Sequence, residues 1–144
     1  HRVMCPGAHI YMFCSQLQFP IIYKVYREAG FFIDDQCLVW VKPSNINQNA
    51  HERFTHCTEM CAWGFKGERC SPLLEPSPKG VFEFSTPQNK VHIAQKPLPL
   101  IERLIMLSSQ INDMVFDPFC ADLEWGRRGL CFPGKIHPRR GASR

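Results

Sequence analysis

A chain of 144 residues, 44% hydrophobic and 21% charged, suits one globular domain that can bury roughly two-thirds of its unfolded surface. Its net charge of +4 is compatible with nucleic-acid contact without requiring it. No apolar run approaches the roughly 18 residues of a membrane helix, which excludes that class of span. The eight cysteines invite a disulfide framework, but several lie inside apolar strand-like runs such as Ile10-Tyr11-Met12-Phe13-Cys14. There a free thiol behaves as a small buried hydrophobe, so a reducing compartment is expected. The chain opens at His1 without a methionine, and its start is read as a cut.

Cys5-Pro6-Gly7-Ala8 reads as a turn, followed from His9 to Ser15 by a short strand of the kind buried on both faces. Phe19 to Ala29 is a helix candidate: Phe19, Ile22, Tyr23 and Tyr26 recur at three- and four-residue spacing, Pro20 sits near the start and Gly30 marks the stop. Phe31 to Val41 is aromatic and β-branched and reads as a second strand region, ended by Lys42-Pro43. Ser44 to Glu52 is a polar loop, and Phe54 to Phe65 a third strand region. Ser71 to Lys90 holds four prolines and little periodicity, so it reads as a long loop.

Leu98 to Ser109 carries the clearest helical pattern, with Leu100, Ile101, Leu104, Ile105 and Leu107 as its apolar stripe and Glu102 and Arg103 opposite. Asp113 to Phe116 reads as a short buried strand that runs into Asp117-Pro118-Phe119-Cys120, and Gly129 to Phe132 as a last strand. This alternation predicts an α/β sheet over residues 1–132, with 133–144 as a basic, disordered tail.

The stretch His92 to Cys120 carries the functional reading: Gln95-Lys96-Pro97, an amphipathic helix, a polar turn, an apolar strand, then Asp117-Pro118-Phe119-Cys120. This order resembles the S-adenosylmethionine-dependent DNA methyltransferases that modify exocyclic amino groups, adenine N6 or cytosine N4. The earlier segments are similar as well. Val3 to Phe13 looks like the family's Pro-Gly strand segment, Trp40-Val41-Lys42-Pro43 like its Trp-x-Lys-Pro strand end, and Phe54 to Gly64 like its His-x-x-Glu strand.

The resemblance implies a Rossmann-like methyltransferase sheet, since ligands of open α/β sheets bind beyond the carboxyl ends of the strands. It implies Gln95, Lys96, Pro97, Asp117, Pro118, Phe119 and Cys120 as the lining of an S-adenosylmethionine site. Trp40, Lys42, His56 and Glu59 become candidates for the pocket of a flipped base, because an amino group cannot be reached inside the helix stack. The implied reaction is methyl transfer to an exocyclic amino group of double-stranded DNA, adenine N6 preferred, in a bacterial or phage restriction-modification setting. It proceeds without a metal and without a covalent enzyme intermediate.

The sequence departs from the family pattern in three ways. No Asp-Pro-Pro-Tyr motif occurs, so no catalytic residue is assigned. A Gly-Ser-Gly turn does not follow Phe119, and Gly129-Leu130-Cys131-Phe132 ends in Pro133 where an acid is expected. An incomplete copy is therefore expected, of doubtful activity and with a marginal fold unless an upstream segment or a second chain supplies the missing motif. Two other functions are open to the same residues. A zinc module could draw on His56, Cys57, Cys61 and Cys70, and a non-catalytic DNA-binding protein on Lys135, Arg139, Arg140 and Arg144.

Overall fold

The computed structural model describes residues 1–43, 51–52, 54–88, 90, 92 and 94–118. Within these, two helices cover the two faces of a mixed five-stranded sheet. The strands are β1 (His9–Cys14), β2 (Phe31–Ile33), β3 (Leu38–Val41), β4 (Thr58–Lys66) and β5 (Val81–Glu83), in the order β1-β4-β3-β5 with β2 also on β4. The helices are α1 (Phe19–Glu28) and α2 (Leu98–Ser108).

β4 is the hub. It pairs antiparallel with β1 from His9↔Phe65 to Cys14↔Met60. Its other edge is shared end to end by β2, through Phe31↔Lys66 and Ile33↔Gly64, and β3, through Leu38↔Cys61 and Val41↔Thr58. The second predicted strand is thus two strands, and the residues between them explain the break. The Asp34 amide still donates to the Trp63 carbonyl at 3.0 Å, but the Asp34 carboxylate then accepts the Gln36 amide at 2.9 Å. That side-chain turn competes with the ladder and re-aims the chain.

β1 is not buried on both faces as expected. It is a half-buried, antiparallel end strand, because its only ladder among the described strands is with β4. β5 falls inside the predicted loop and pairs parallel with β3, Trp40 opposite Phe82, with ladder bonds from Val39 to Gly80 and from Phe84 to Val41. The predicted strand Asp113–Phe116 does not form: the segment is irregular, with Met114 82% and Phe116 68% exposed. Its apolar run meets the local requirement for a strand, but it pairs with none of the described strands.

Cross-strand partners point to the same face, so register decides which residues each helix covers. On one face Tyr26 of α1 packs on Phe31, with ring centroids 5.5 Å apart. The α1 residues Phe19, Ile22, Tyr23 and Tyr26 are half-buried and Ile21 and Val25 exposed, which is the predicted stripe. Ser15 and Gln18 bond reciprocally ahead of α1, and Gly30, at φ +86°, turns the chain at its end. On the opposite face Leu100, Leu104 and Leu107 of α2 join Trp40 and Phe82 in the main core, flanked by Tyr11, Phe13, Leu38, Leu73 and Phe84. Ser108 and Ser109 hydroxyls donate to the last carbonyls of α2, at Leu104 and Ile105, and Arg103 forks onto Glu75.

The polar loop 44–50 lies outside the described residues. So does everything from 119 onward, which includes Phe119, Cys120, the predicted strand 129–132 and the tail 133–144.

Candidate cofactor and base site

The α2 face of the sheet ends in a charged cluster. Trp40 and Glu59 are cross-strand partners and so share that face. Lys42 follows β3, and Lys96 arrives from the far side just before α2. The Glu59 carboxylate joins the two ammoniums, Oε1 at 2.6 Å from Lys42 Nζ and Oε2 at 2.7 Å from Lys96 Nζ. These side chains are 15%, 20% and 30% exposed for Lys42, Lys96 and Glu59. Lys96 also donates to the Ala94 carbonyl at 3.1 Å and rests over the Phe13 ring at 5.2 Å. Both lysines lie over Trp40, at 5.0 Å and 5.9 Å.

Burial alone would raise the Glu59 carboxyl, but hydrogen bonds from Lys42 and Lys96 and their positive charges outweigh it and hold the group below its ordinary 4.5. A carboxyl held lower in the fold than in the unfolded chain contributes stability that is fully present above 4.5. That stability is lost as pH falls through the folded value. His9 adds a loss at higher pH. Its Nδ1 accepts from Trp63 Nε1 at 3.2 Å, so Nε2 carries the proton and donates to the Ser71 carbonyl at 2.9 Å. Burial lowers its pKa from 6.5, partly offset by that backbone bond. Its neutral form is therefore the stabilising one, and stability declines as pH falls below 6.5. Urea midpoints across pH should show both declines in the native chain, and Glu59→Gln should lack the one below 4.5. An E59Q profile that superimposes on the native one would show that the triad does not hold the carboxyl low.

Three of the sequence-derived positions thus meet at one place, Lys42, Glu59 and Lys96, and Trp40 lies beneath them. Trp40, expected to line a base pocket, is instead core: it is 2% exposed and its Nε1 donates to the Phe84 carbonyl at 2.7 Å, so its ring face is closed to stacking. Pro97 is buried where the chain enters α2 and Gln95 is half-buried beside Lys96. His56 is exposed ahead of β4, and Asp117 and Pro118 are exposed after α2. Phe13 and the Ala94 carbonyl belong to the cluster but were not expected there. The alternation His9, Tyr11, Phe13 along one strand face is the signal that could have suggested Phe13.

Cavities of about 460 Å³, beside Gly7 and Cys70, and about 350 Å³, between Trp63 and Leu104, lie elsewhere, and neither takes in the triad. Among the described residues no group of three or more histidine, cysteine or acidic side chains is placed to hold a metal ion. Of the four residues considered for zinc, Cys61 is buried in β4 whereas His56 and Cys57 are exposed.

The model of a DNA methylase family matches residues 1–122. The chain belongs to the DNA methylase family. Among its relatives, this DNA methylase is 26% identical to the type II methyltransferase M.HpaI of Haemophilus parainfluenzae, over 83% of this chain and 45% of that protein. The crystal structure of the M1.HpyAVI–SAM complex superimposes with a TM-score of 0.71 at 28% identity, over 81% of this chain and 60% of that one. The cytosine-N4-specific PvuII DNA methyltransferase shares the fold, with a TM-score of 0.61 at 17% identity over 76% of this chain and 51% of that one. The chain spans about half the length of the curated relative and three-fifths of the solved one. The likeness bears out the α/β sheet that the strand and helix order predicted and the methyltransferase type of sheet that the resemblance implied.

Proposed function

We propose that this chain carries the cofactor-binding and part of the base-binding surface of an S-adenosylmethionine-dependent DNA methyltransferase that modifies an exocyclic amino group. The observation that carries the reading is the convergence of Lys42 and Lys96 on Glu59. Each comes from a separate segment that resembles the family, and the two meet only in the folded chain. A neighbour solved as a SAM complex supports the cofactor, and membership of the DNA methylase family supports DNA as substrate.

The donor set suits the cofactor. Lys96 is a half-buried ammonium on an aromatic bed, fit to take the carboxylate of a methionine moiety. Gln95, Pro97, Asp117, Pro118, Phe119 and Cys120 complete the surface in this reading, and Lys42, Glu59 and His56 face the base. The bound cofactor would supply an electrophilic methyl group. The protein residues orient it, and Glu59 offers an acceptor for an amino N–H. Adenine N6 is the base we assign. The Asp-Pro-Pro-Tyr element would come from an upstream segment or a second chain, and the setting would be cytoplasmic. No described helix is long and apolar enough to cross a membrane.

Calorimetric titration of the chain with S-adenosylmethionine tests this. Saturable binding is expected, weakened about tenfold or more by Lys96→Met, as for loss of one charge-assisted hydrogen bond. A folded sample that gives no saturable heat would overturn the assignment.

A further inference from the structure

We propose that Glu59 is a built-in placeholder for the ligand carboxylate of Lys96, displaced onto Lys42 when that ligand enters. This rests on the cofactor reading above and concerns how the same site is regulated.

Two ammoniums and one carboxylate leave the triad at +1 and mostly out of solvent, as counted over its ion pairs among the described residues. One added monoanion neutralises it, whereas a second would not be balanced. An ammonium has three donors, and Lys96 already gives one to Glu59 and one to the Ala94 carbonyl. A ligand carboxylate drawn to Lys96 would meet the Glu59 charge on the same ammonium, and like charges that close repel. The strain is relieved if Oε2 leaves Lys96.

Lys42 makes that movement inexpensive. Oε1 stays bonded to it at 2.6 Å, so a displaced Glu59 is still a paired carboxylate in a half-buried place. A lone buried charge would be far worse. The two lysines therefore have different duties. Lys96 meets the ligand, and Lys42 keeps the displaced placeholder. Before the ligand enters, Glu59 holds Lys96 over Phe13 and Trp40, already aimed. Glu59 and Lys42 are positioning residues here, because both act through Lys96.

The two variants should move binding in opposite directions. Glu59→Gln removes the competing charge and should tighten S-adenosylmethionine about fivefold, with a steeper salt dependence. Lys42→Met removes the fallback partner, ties Glu59 to Lys96, and should weaken the same ligand by a similar factor. Decarboxylated S-adenosylmethionine, a dication that lacks the carboxylate, should be neither tightened by Glu59→Gln nor weakened by Lys42→Met. The titrations are run on the full chain with circular dichroism as a check on folding. If E59Q weakens both ligands alike, Glu59 is only a structural support and the placeholder role is lost. If the native chain and both variants fail to bind S-adenosylmethionine while remaining folded, the cofactor reading itself fails. Tight binding that ignores the Glu59 and Lys42 changes would retain the cofactor reading and overturn the placeholder alone.

Discussion

Replacing Gly64 by alanine is expected to destabilise the chain by about 3 kcal/mol, the upper end for overpacking a filled interior. A Cβ at Gly64 would run into the Phe32 carbonyl oxygen and the Ile33 Cδ1 atom and lie 3.2 Å from the Ile33 Cα. Two of those three are backbone atoms of β2, so relief cannot come from a rotamer change. It would require β2 to lift off β4, where Phe32 stacks on Phe65 at 4.6 Å and Ile33 is 2% exposed. A drop of this size is a large share of the ~5–15 kcal/mol that a domain commands. Urea unfolding followed by circular dichroism reads it as a lower midpoint at unchanged slope. A midpoint equal to the native one would show that β2 is not held against Gly64.

Trp40→Ala is expected to cost about 3–5 kcal/mol, as for other deletions of a buried aromatic ring. Trp40 sits among Phe82, Leu100, Leu104 and Leu107, so its loss opens the main core between the sheet and α2. The same deletion strips the bed on which Lys42 and Lys96 rest. Trp40→Phe separates the two roles. It keeps an apolar ring but leaves the half-buried Phe84 carbonyl without the donor it now has at 2.7 Å. A penalty of about 1–3 kcal/mol is expected from that unpaired acceptor. Thermal melts of both variants provide the test. A Trp40→Ala chain that melts with the native one would return Trp40 to the role of an open stacking surface.

Long periodic patterns were legible in the sequence. Leu100, Leu104 and Leu107 announce the buried side of α2 because their spacing repeats over three turns, and Gly30 announces the end of α1. The motif residues could also be named one by one, since Lys42, Glu59 and Lys96 each stand in a segment that resembles the family. Their meeting could not be read. It depends on the register that sets Trp40 opposite Glu59 and on α2 lying across that face, and neither is a local property. β5 was hidden because three residues after a proline-rich stretch carry no period, although parallel pairing with β3 is enough to fix them. Met114-Val115-Phe116 is the opposite case. The local pattern is right for a strand, but a strand needs a neighbour to accept its hydrogen bonds, and nothing in the pattern says whether one exists. The break at Asp34-Asp35 was missed, since Phe31 to Val41 read as one strand region; the Asp34 side-chain turn is the reason β2 and β3 are separate.

The central place of β4 has a consequence for how the chain can be made. β1, β2 and β3 all pair with β4 and none pairs with another of the three. During synthesis β1, β2 and β3 leave the ribosome before β4, the described strand that all three pair with, and at ~5–20 residues per second the gap between β1 and β4 lasts seconds. That interval is long beside the microseconds in which a hairpin closes. The nascent segment carries Phe13, Phe31, Ile33 and Trp40 through it without β4, and among the described elements before β4 the helix α1 can shelter some of them. A chaperone that binds exposed aromatic strands would find its best opportunity before residue 58 emerges, and the sheet would then assemble in one step around a single late-arriving strand.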